Sequence, residues 1–208
     1  MRVLIVDDHA VVRRGLKQIL ADEWPTATVG EAEDAHGALR LVRQEDWDVV
    51  VLDISMPGKS GIEALKELKR ERPRLPVLIL TSHPVEQYAL RVMKAGASGY
   101  MTKESTPEHL IEAVRKVTKG GKYISSQLAE ALASHLIAPD KPPHEILSDR
   151  EYQVLRLIAA GKSVGEIASE LSLSDKTIST YRARILQKLG MKTNAELIRY
   201  AIRNGLTD

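Results

Sequence analysis

The sequence predicts an α/β part built on a doubly wound, five-stranded parallel sheet, followed by an all-α part of four helices. The first observation is the alternation of five short apolar runs with five helical stretches from Arg2 to about Lys119, which is typical of βαβ units. The second is the Pro-rich polar segment APDKPPHE at 138–145. The third is that only helical patterns follow Leu147.

The strands are the short runs rich in Val, Ile and Leu. They are predicted at 2–7, 28–33, 48–53, 76–81 and 98–102. Helices are predicted near 10–22, 35–45, 61–71, 85–95 and 107–119. Right-handed crossovers between parallel strands then place these helices on both faces of the sheet. Pro107 fits the first turn of the fifth helix, where its missing N–H is tolerated.

The C-terminal part begins after Gly120 and Gly121, where the pattern changes. A short amphipathic helix is predicted at 125–137, and further helices at 148–160, 163–171, 175–189 and 193–204. Capping boxes are expected where Ser148 precedes Glu151 and where Ser163 precedes Glu166. We therefore predict domains at 1–121 and 147–208, joined by a linker with a short helix at 122–146.

Composition excludes several classes of protein. The chain has 208 residues, a net charge of +2 and no cysteine, so thiolate metal sites and disulfides are impossible. No apolar run approaches the roughly 20 residues that cross a bilayer. An acidic pair near Met1 stands where a signal peptide needs its apolar core. We expect a cytoplasmic protein with no membrane partner.

Polar side chains stand at the predicted carboxyl ends of four strands. Asp7 and Asp8 follow the first strand, Asp53 the third, Thr81 the fourth and Lys103 the fifth. Ligands of open parallel sheets collect at this end, near the point where strand order reverses. Each residue alone is often only a turn or a cap. Together they suit a Mg²⁺ or Mn²⁺ ion and a phosphoryl group on an aspartate, since clustered carboxylates need a cation.

Residues 1 to about 120 resemble the receiver domain of bacterial two-component response regulators, which has a flavodoxin-like fold. The matching segments are IVDDH, VVLDISMPGKSGIE, ILTS and KAGASGYMTK. The resemblance implies that Asp53 is the phosphoacceptor, with Mg²⁺ held by Asp7, Asp8, Asp53 and the main-chain carbonyl of Ser55. It further implies that Thr81 and Lys103 bind the phosphoryl group.

Four further positions of this part take their meaning from the resemblance. Tyr100 matches an aromatic switch, whose ring turns inward when the Thr81 hydroxyl moves. Ser55 and His83 match positions that tune the lifetime of the acyl phosphate. Glu104 stands where many receivers have a proline with a cis peptide, which without proline would cost about 2.5–4 kcal/mol. The histidines other than His83 show no metal-ligand spacing, and none of them is predicted to be a ligand.

The segment VGEIASELSLSDKTISTYRARILQKLG predicts two helices joined by a short turn. From Ser174 to Lys192 the chain carries five Lys or Arg residues and one acid, Asp175. A solvated basic helix in a bundle would show the same charge. Residues 146–208, however, resemble the four-helix DNA-binding domain of the LuxR/NarL type, whose second helix enters the major groove. The DNA-binding positions implied by this resemblance are Lys176, Thr177, Ser179, Thr180, Ala183, Arg184 and Lys188.

Within that set the expected roles differ. Ser179, Thr180 and Ala183 take base-facing positions, whereas Lys176, Arg184 and Lys188 are expected at phosphates. Arg182 lies near the buried side of the helix, so it could instead pair within the protein.

Both resemblances together identify a response regulator of the NarL/FixJ type. They imply phosphorylation of Asp53 by a sensor histidine kinase, pairing into a homodimer through helix 193–204 and receiver helices 10–22 and 107–119, and binding to promoter repeats. The only chemistry expected is self-phosphorylation and slow self-dephosphorylation, so the chain is not predicted to be an enzyme. One alternative is a phosphoaspartate phosphatase of the haloacid-dehalogenase type, a class that carries D-x-D after its first strand, where this chain has DDH. The other is a phosphorelay protein without DNA output.

Overall fold

The computed structural model describes residues 1–137 and 142–207. The chain folds into two compact units, Met1–Ala133 and Ser134–Asp208. In the described part of the chain, none of the helices combines the length and the apolar character that a bilayer crossing requires.

The first unit is a five-stranded, all-parallel sheet flanked by helices, which confirms the predicted fold class. Its strand order is β2-β1-β3-β4-β5, so the order reverses between β1 and β3. The strands are β1 Arg2–Val6, β2 Thr28–Ala32, β3 Val49–Leu52, β4 Val77–Thr81 and β5 Gly99–Thr102. The helices that alternate with them are α1 Ala10–Glu23, α2 Ala35–Gln44, α3 Gly61–Glu71, α4 Val85–Lys94 and α5 Pro107–Thr118.

Burial explains why these strands read as continuous apolar runs. Every residue of β3 and β4 is buried, as are the last four of β1, because these strands are covered on both faces. β2 lies at the border of the sheet and is mostly part-exposed. The central strands are therefore rigid supports for whatever follows their carboxyl ends.

The first unit extends beyond the boundary at 121 that the sequence predicts. Tyr123 forms a parallel bridge with Gly99 of β5, and its N–H donates to the Ser98 carbonyl at 2.8 Å. A Cβ on Gly99 would lie 2.9 Å from both the Leu78 and the Tyr123 side chains, so only glycine allows this close approach. The next helix, α6 Ser126–Ile137, buries Leu128 completely. Residues predicted as the start of the linker thus pack as part of the sheet domain.

The second unit is helical, as predicted, and contains a 3-10 helix, Pro143–Ile146, before its α-helices. These are α7 Asp149–Ala159, α8 Val164–Leu171, α9 Asp175–Leu189 and α10 Asn194–Arg203. Both predicted capping boxes are present, at the starts of α7 and α8. The predicted segment 138–141 of the Pro-rich linker lies outside the described residues.

The α8–α9 pair is joined by a tight turn. Ser172 adopts the left-handed conformation (φ 52°), and the Leu173 N–H donates to the Ala168 carbonyl at 2.8 Å. The Ser174 side chain then caps α9 by accepting from the Thr177 N–H. Ile178 and Ile185 of α9 are fully buried, so the opposite face of this helix is left to solvent.

Candidate functional site

The carboxyl ends of β1 and β3 bring two aspartates together where strand order reverses. Asp7 follows β1, Asp53 follows β3, and both are 2% exposed. The Asp53 N–H donates to the Val6 carbonyl at 2.8 Å, which continues the β1–β3 ladder up to the site. The side chains therefore lie next to each other at the ends of two buried, paired strands.

Lys103 joins these two carboxylates from the end of β5. Its Nζ lies 2.7 Å from Asp7 Oδ2 and 2.7 Å from Asp53 Oδ2. Burial of the ammonium lowers the pKa of Lys103, but hydrogen bonds to Asp53 and Asp7 outweigh that effect, and the net pKa is raised. Lys103 is therefore a fixed positive charge in the site.

Asp8 and His9 complete a group whose ligand atoms all lie within 4.8 Å of one another, with Asp7 and Asp53. The His9 N–H donates to Asp7 Oδ1 at 2.8 Å, and His9 Nδ1 lies 2.9 Å from Asp8 Oδ1. His9 was not predicted to be a metal ligand, because the histidines show no metal-ligand spacing, and the structure nevertheless places its ring at this cluster. Its position directly after the two aspartates was the only available signal.

The residues present fit a hard divalent cation. Asp8 Oδ1 is buried and accepts no well-directed hydrogen bond, although His9 Nδ1 is near. An unsatisfied carboxylate oxygen among three clustered carboxylates is energetically costly unless a cation binds it. Carboxylate oxygens are the ligands that Mg²⁺ and Mn²⁺ prefer.

Ser55 contacts Asp53, and Thr81 contacts Ser55. The Ser55 N–H donates to Asp53 Oδ1 at 2.9 Å, so the two Asp53 oxygens have different donors, this amide and Lys103. The hydroxyls of Ser55 and Thr81 are 3.3 Å apart. Thr81 is fully buried at the end of β4, and the Lys103 N–H donates to its carbonyl at 2.8 Å.

Tyr100 lies with its ring inward and is 1% exposed. Its hydroxyl donates to the carbonyl of His83 at 2.8 Å and approaches that of Pro84 at 3.2 Å. The His83 N–H in turn lies 3.4 Å from the Thr81 hydroxyl, so Thr81 and Tyr100 are linked through the segment after β4. The bond between Lys103 and Glu104 is trans, since the described residues contain no cis peptide.

The solvent-facing side of α9 carries the residues predicted to contact DNA. Lys176, Ser179, Thr180, Ala183, Arg184 and Lys188 are exposed, and Thr177 is half-buried. The Thr180 hydroxyl donates to the Lys176 carbonyl at 2.8 Å, which leaves its oxygen lone pairs to accept from a partner. Arg182 donates to Asn194 Oδ1 of α10 at 2.6 Å, so it pairs within the protein at a solvent-accessible position.

Lys188 has a protein partner that the sequence did not reveal. Its Nζ lies 2.6 Å from Oε2 of Glu151, whose side chain is 4% exposed on α7. Burial raises the pKa of Glu151, but hydrogen bonds from Lys188 and Ser148 outweigh it, and the net pKa lies below 4.5. The predicted phosphate contact of Lys188 would thus compete with this ion pair.

Two domain families match the chain, and together they define its class. The family described as "Response regulator receiver domain" matches residues 3–115, and "Bacterial regulatory proteins, luxR family" matches 145–201. The chain belongs to the response regulators of the NarL/FixJ type, as the sequence indicated. It is a two-component regulator that couples a receiver domain to a helix-turn-helix domain for DNA-binding control of transcription.

Relatives cover the chain from end to end. Response regulator GacA of Pseudomonas aeruginosa is 40% identical over 100% of this chain and 98% of its own length. A structure of RcsB from Salmonella enterica serovar Typhimurium, bound to promoter rprA in the presence of phosphomimetic BeF3−, is 31% identical with a TM-score of 0.66, covering 96% of this chain and 98% of that one. A structure of two RcsB dimers bound to two parallel DNAs is 32% identical with a TM-score of 0.60, covering 97% and 98%.

Proposed function

We propose that Asp53 accepts a phosphoryl group from a sensor histidine kinase and that this event controls promoter binding by α9 in a homodimer. The observation that carries the proposal is the position of Asp53 beside Asp7, with the Lys103 ammonium 2.7 Å from both carboxylates. A carboxylate held in this way is an oxygen nucleophile with a cation at hand for the charge that a phosphoryl group adds.

Each residue of the pocket has a distinct task in this proposal. Asp7 and Asp8 would hold Mg²⁺ or Mn²⁺ together with Asp53 and the Ser55 carbonyl, and the ion would supply charge neutralisation at the phosphoryl oxygens. Lys103 would pair with the same oxygens. The Thr81 hydroxyl, buried 3.3 Å from that of Ser55, would donate to one of them.

The link to the rest of the receiver runs through the segment after β4. A Thr81 hydroxyl drawn to the phosphoryl group changes its contact with the His83 N–H. Because the His83 carbonyl accepts from Tyr100, the inward position of the ring depends on the same segment.

Near-complete switching between two states needs about 5.5 kcal/mol of differential binding, which a doubly charged group in a buried site can supply. Ser55 and His83 would set how fast water removes the group.

The chain would carry out self-phosphorylation and slow self-dephosphorylation only. Two other functions are alternatives to transcription control, namely turnover of external phosphate esters and phosphorelay without DNA output. The first function is disfavoured because the chain lacks the D-x-D pattern after β1, where it has Asp7, Asp8 and His9. Steady hydrolysis of p-nitrophenyl phosphate by the purified protein would support it. The second is disfavoured by the basic, exposed face of α9.

DNA binding in a homodimer is supported by the RcsB structures, which contain promoter DNA and dimers. On the exposed face of α9 we propose contacts to phosphates from Lys176, Arg184 and Lys188, and contacts to bases from Ser179, Thr180 and Ala183, with Thr177 at the start of the helix. A regulator that must reach both a kinase and chromosomal DNA would act in the cytoplasm.

The test is intact mass after incubation with Mg²⁺ and a small phosphodonor, for the wild type beside Asp53→Asn. We expect one added phosphoryl group on the wild type and none on the variant, which keeps the size of the side chain but has no carboxylate to attack phosphorus. Retention of the label by Asp53→Asn would show that another residue is the acceptor. DNA binding by both proteins, with and without the phosphodonor, then shows whether the label controls the output.

A further inference from the structure

Arg13 is a buried arginine beside the acidic pocket. It lies on α1 on the same face as Leu16 and Leu20, and it is 7% exposed, although arginine is rarely buried without partners. An arginine in an apolar stripe was visible in the sequence, but its partners were not.

The guanidinium of Arg13 contacts both the main chain of Asp7 and the two glutamates at the end of β2. Nη1 donates to the main-chain carbonyl of Asp7 at 2.8 Å. Nη2 donates to Glu33 Oε1 at 2.8 Å, and Nε lies 3.4 Å from Glu31 Oε2, at the end of β2. A planar guanidinium holds these directions rigidly, which a lysine ammonium cannot do.

The bond to the Asp7 carbonyl matters because that carbonyl belongs to the peptide unit that joins Asp7 to Asp8. Rotation of this unit would turn both side chains relative to the pocket. The Asp7 N–H is fixed by the Ala32 carbonyl at 3.1 Å, and the Asp7 carboxylate by the His9 N–H and Lys103. The hydrogen bond from Arg13 fixes the remaining polar group of Asp7.

We infer that Arg13 is a positioning residue for the divalent cation, which it serves by fixing the peptide unit between Asp7 and Asp8 without contacting the ion. The inference rests on the proposed function, since it presupposes a cation at Asp7 and Asp8. Groups that orient metal ligands from behind commonly change metal affinity by about 10–100-fold when removed.

A purely structural role for Arg13 makes a different prediction. In that case Arg13 would contribute only to the stability of the fold, through its ion pairs with Glu31 and Glu33, which link α1 to the end of β2. The double variant Glu31→Gln/Glu33→Gln removes those pairs and leaves the bond to the Asp7 carbonyl. If Arg13 positions the pocket, this double variant keeps its affinity for the cation even where its unfolding temperature falls.

The experiment is calorimetric titration of the full chain with Mn²⁺, together with the Mg²⁺ dependence of phosphorylation by a small phosphodonor. Arg13→Met is expected to weaken Mn²⁺ binding by about 10–100-fold and to raise the half-saturating Mg²⁺ concentration, with the rate at saturating Mg²⁺ retained. Arg14→Met, the same change at the adjacent exposed residue, is the matched control and should bind as the wild type does.

The outcomes are separable. Wild-type affinity in a folded Arg13→Met protein overturns the inference, as does equal weakening by Glu31→Gln/Glu33→Gln. If Arg13→Met does not fold, Arg13→Lys replaces it. A single lysine ammonium cannot make all the contacts of the guanidinium, so the Arg13→Lys protein should bind Mn²⁺ more weakly than the wild type. Equal Mn²⁺ affinity of the two proteins overturns the inference. Failure of the wild type itself to bind Mn²⁺ overturns the proposed metal site, a result distinct from any difference between variants.

Discussion

At the scale of single residues, the ends of parallel strands place the acidic pocket, and packing between elements places the side chains that support it. Asp7, Asp53 and Lys103 each follow a short apolar run, and the geometry of parallel strands brings such positions to one end of the sheet. The contacts of Arg13 depend on how α1 docks against β1 and β2, and the Lys188–Glu151 pair depends on how α9 docks against α7. Periodicity carries no information on which polar groups two packed elements bring together, so those contacts appear only in the structure.

The Lys188–Glu151 pair makes the stability of the second unit depend on pH. The pKa of Glu151 is lower in the fold than its ordinary value of 4.5, so its ionised form stabilises the fold above pH 4.5, and this contribution is lost as pH falls. Lys188→Met should destabilise the unit by about 1–2 kcal/mol at neutral pH, between the values for exposed and buried pairs. The difference from the wild type should shrink below pH 4.5.

Two optical signals separate the units in that measurement. Both tryptophans, Trp24 and Trp47, lie in the first unit, whereas far-UV circular dichroism reports helices of both. Lys188→Met should move the dichroism transition and leave the tryptophan transition in place. Lys176→Met, exposed on the same helix, is the control and should move neither. A pH-independent difference would mean that the ion pair is not the cause.

Lys176 and Thr180 should affect DNA binding in different ways. Lys176→Ala is expected to weaken binding to all sequences alike and to reduce the slope of log K against log salt by about 1, as the loss of one phosphate contact does. Thr180→Ala is expected to change the preference at one base pair by about 1–3 kcal/mol. Titrations of operator variants at several salt concentrations distinguish the two, and a base-specific effect of Lys176→Ala would contradict its phosphate role.

At the scale of elements, every predicted strand and helix exists, with each end within one residue of the prediction. Turn and cap residues account for this accuracy, as in the capping boxes at α7 and α8. The docking of Tyr123 on β5 was missed because one bridged residue after two glycines has no periodicity. The 3-10 helix Pro143–Ile146 was missed because its two prolines at 142 and 143 suggested only a linker.

The bridge between β5 and Tyr123 makes Gly99 a sensitive position. Gly99→Ala would place a methyl group 2.9 Å from Leu78 and Tyr123, so the receiver should lose about 1–3 kcal/mol of unfolding free energy through overpacking. Denaturant titration followed by tryptophan fluorescence measures this loss. Gly15→Ala is the matched control, because it lies inside α1 with nothing within 4 Å. That variant should instead be stabilised by up to about 1 kcal/mol. Equal behaviour of the two variants would rule out the close approach at Gly99.

At the scale of the whole molecule, the proposed homodimer requires apolar surface on the pairing helices. Ile202 of α10 is 61% exposed, and Val11 of α1 is 82% exposed. Burying a new, unpaired charge at an interface is costly, so Ile202→Glu should weaken pairing of the second units. We expect weaker binding to a two-half-site promoter and unchanged binding to a single half-site, measured by fluorescence anisotropy on the phosphorylated protein.

The chain provides a matched control for that variant. Ile146 of the 3-10 helix is 60% exposed and lies outside the predicted pairing helices, so Ile146→Glu should leave both affinities as they are. Equal losses from both variants would argue for a general effect of charge rather than pairing through α10. Sedimentation of the phosphorylated wild type, expected as a dimer, gives the reference state.

The contact of Tyr123 with β5 also bears on how the receiver avoids strand pairing with other chains at the edge of its sheet. β5 is the last strand of the sheet, and an open border strand offers unpaired N–H and C=O groups to any other chain. The Tyr123 N–H donates to the Ser98 carbonyl, so this acceptor is not open to another strand. Tyr123 also covers Gly99, which has no side chain to block the approach of another chain. A receiver fragment that ends at residue 121 would uncover this strand and become prone to aggregate. A fragment that ends at Ala133, the limit of the compact unit, would keep the strand covered.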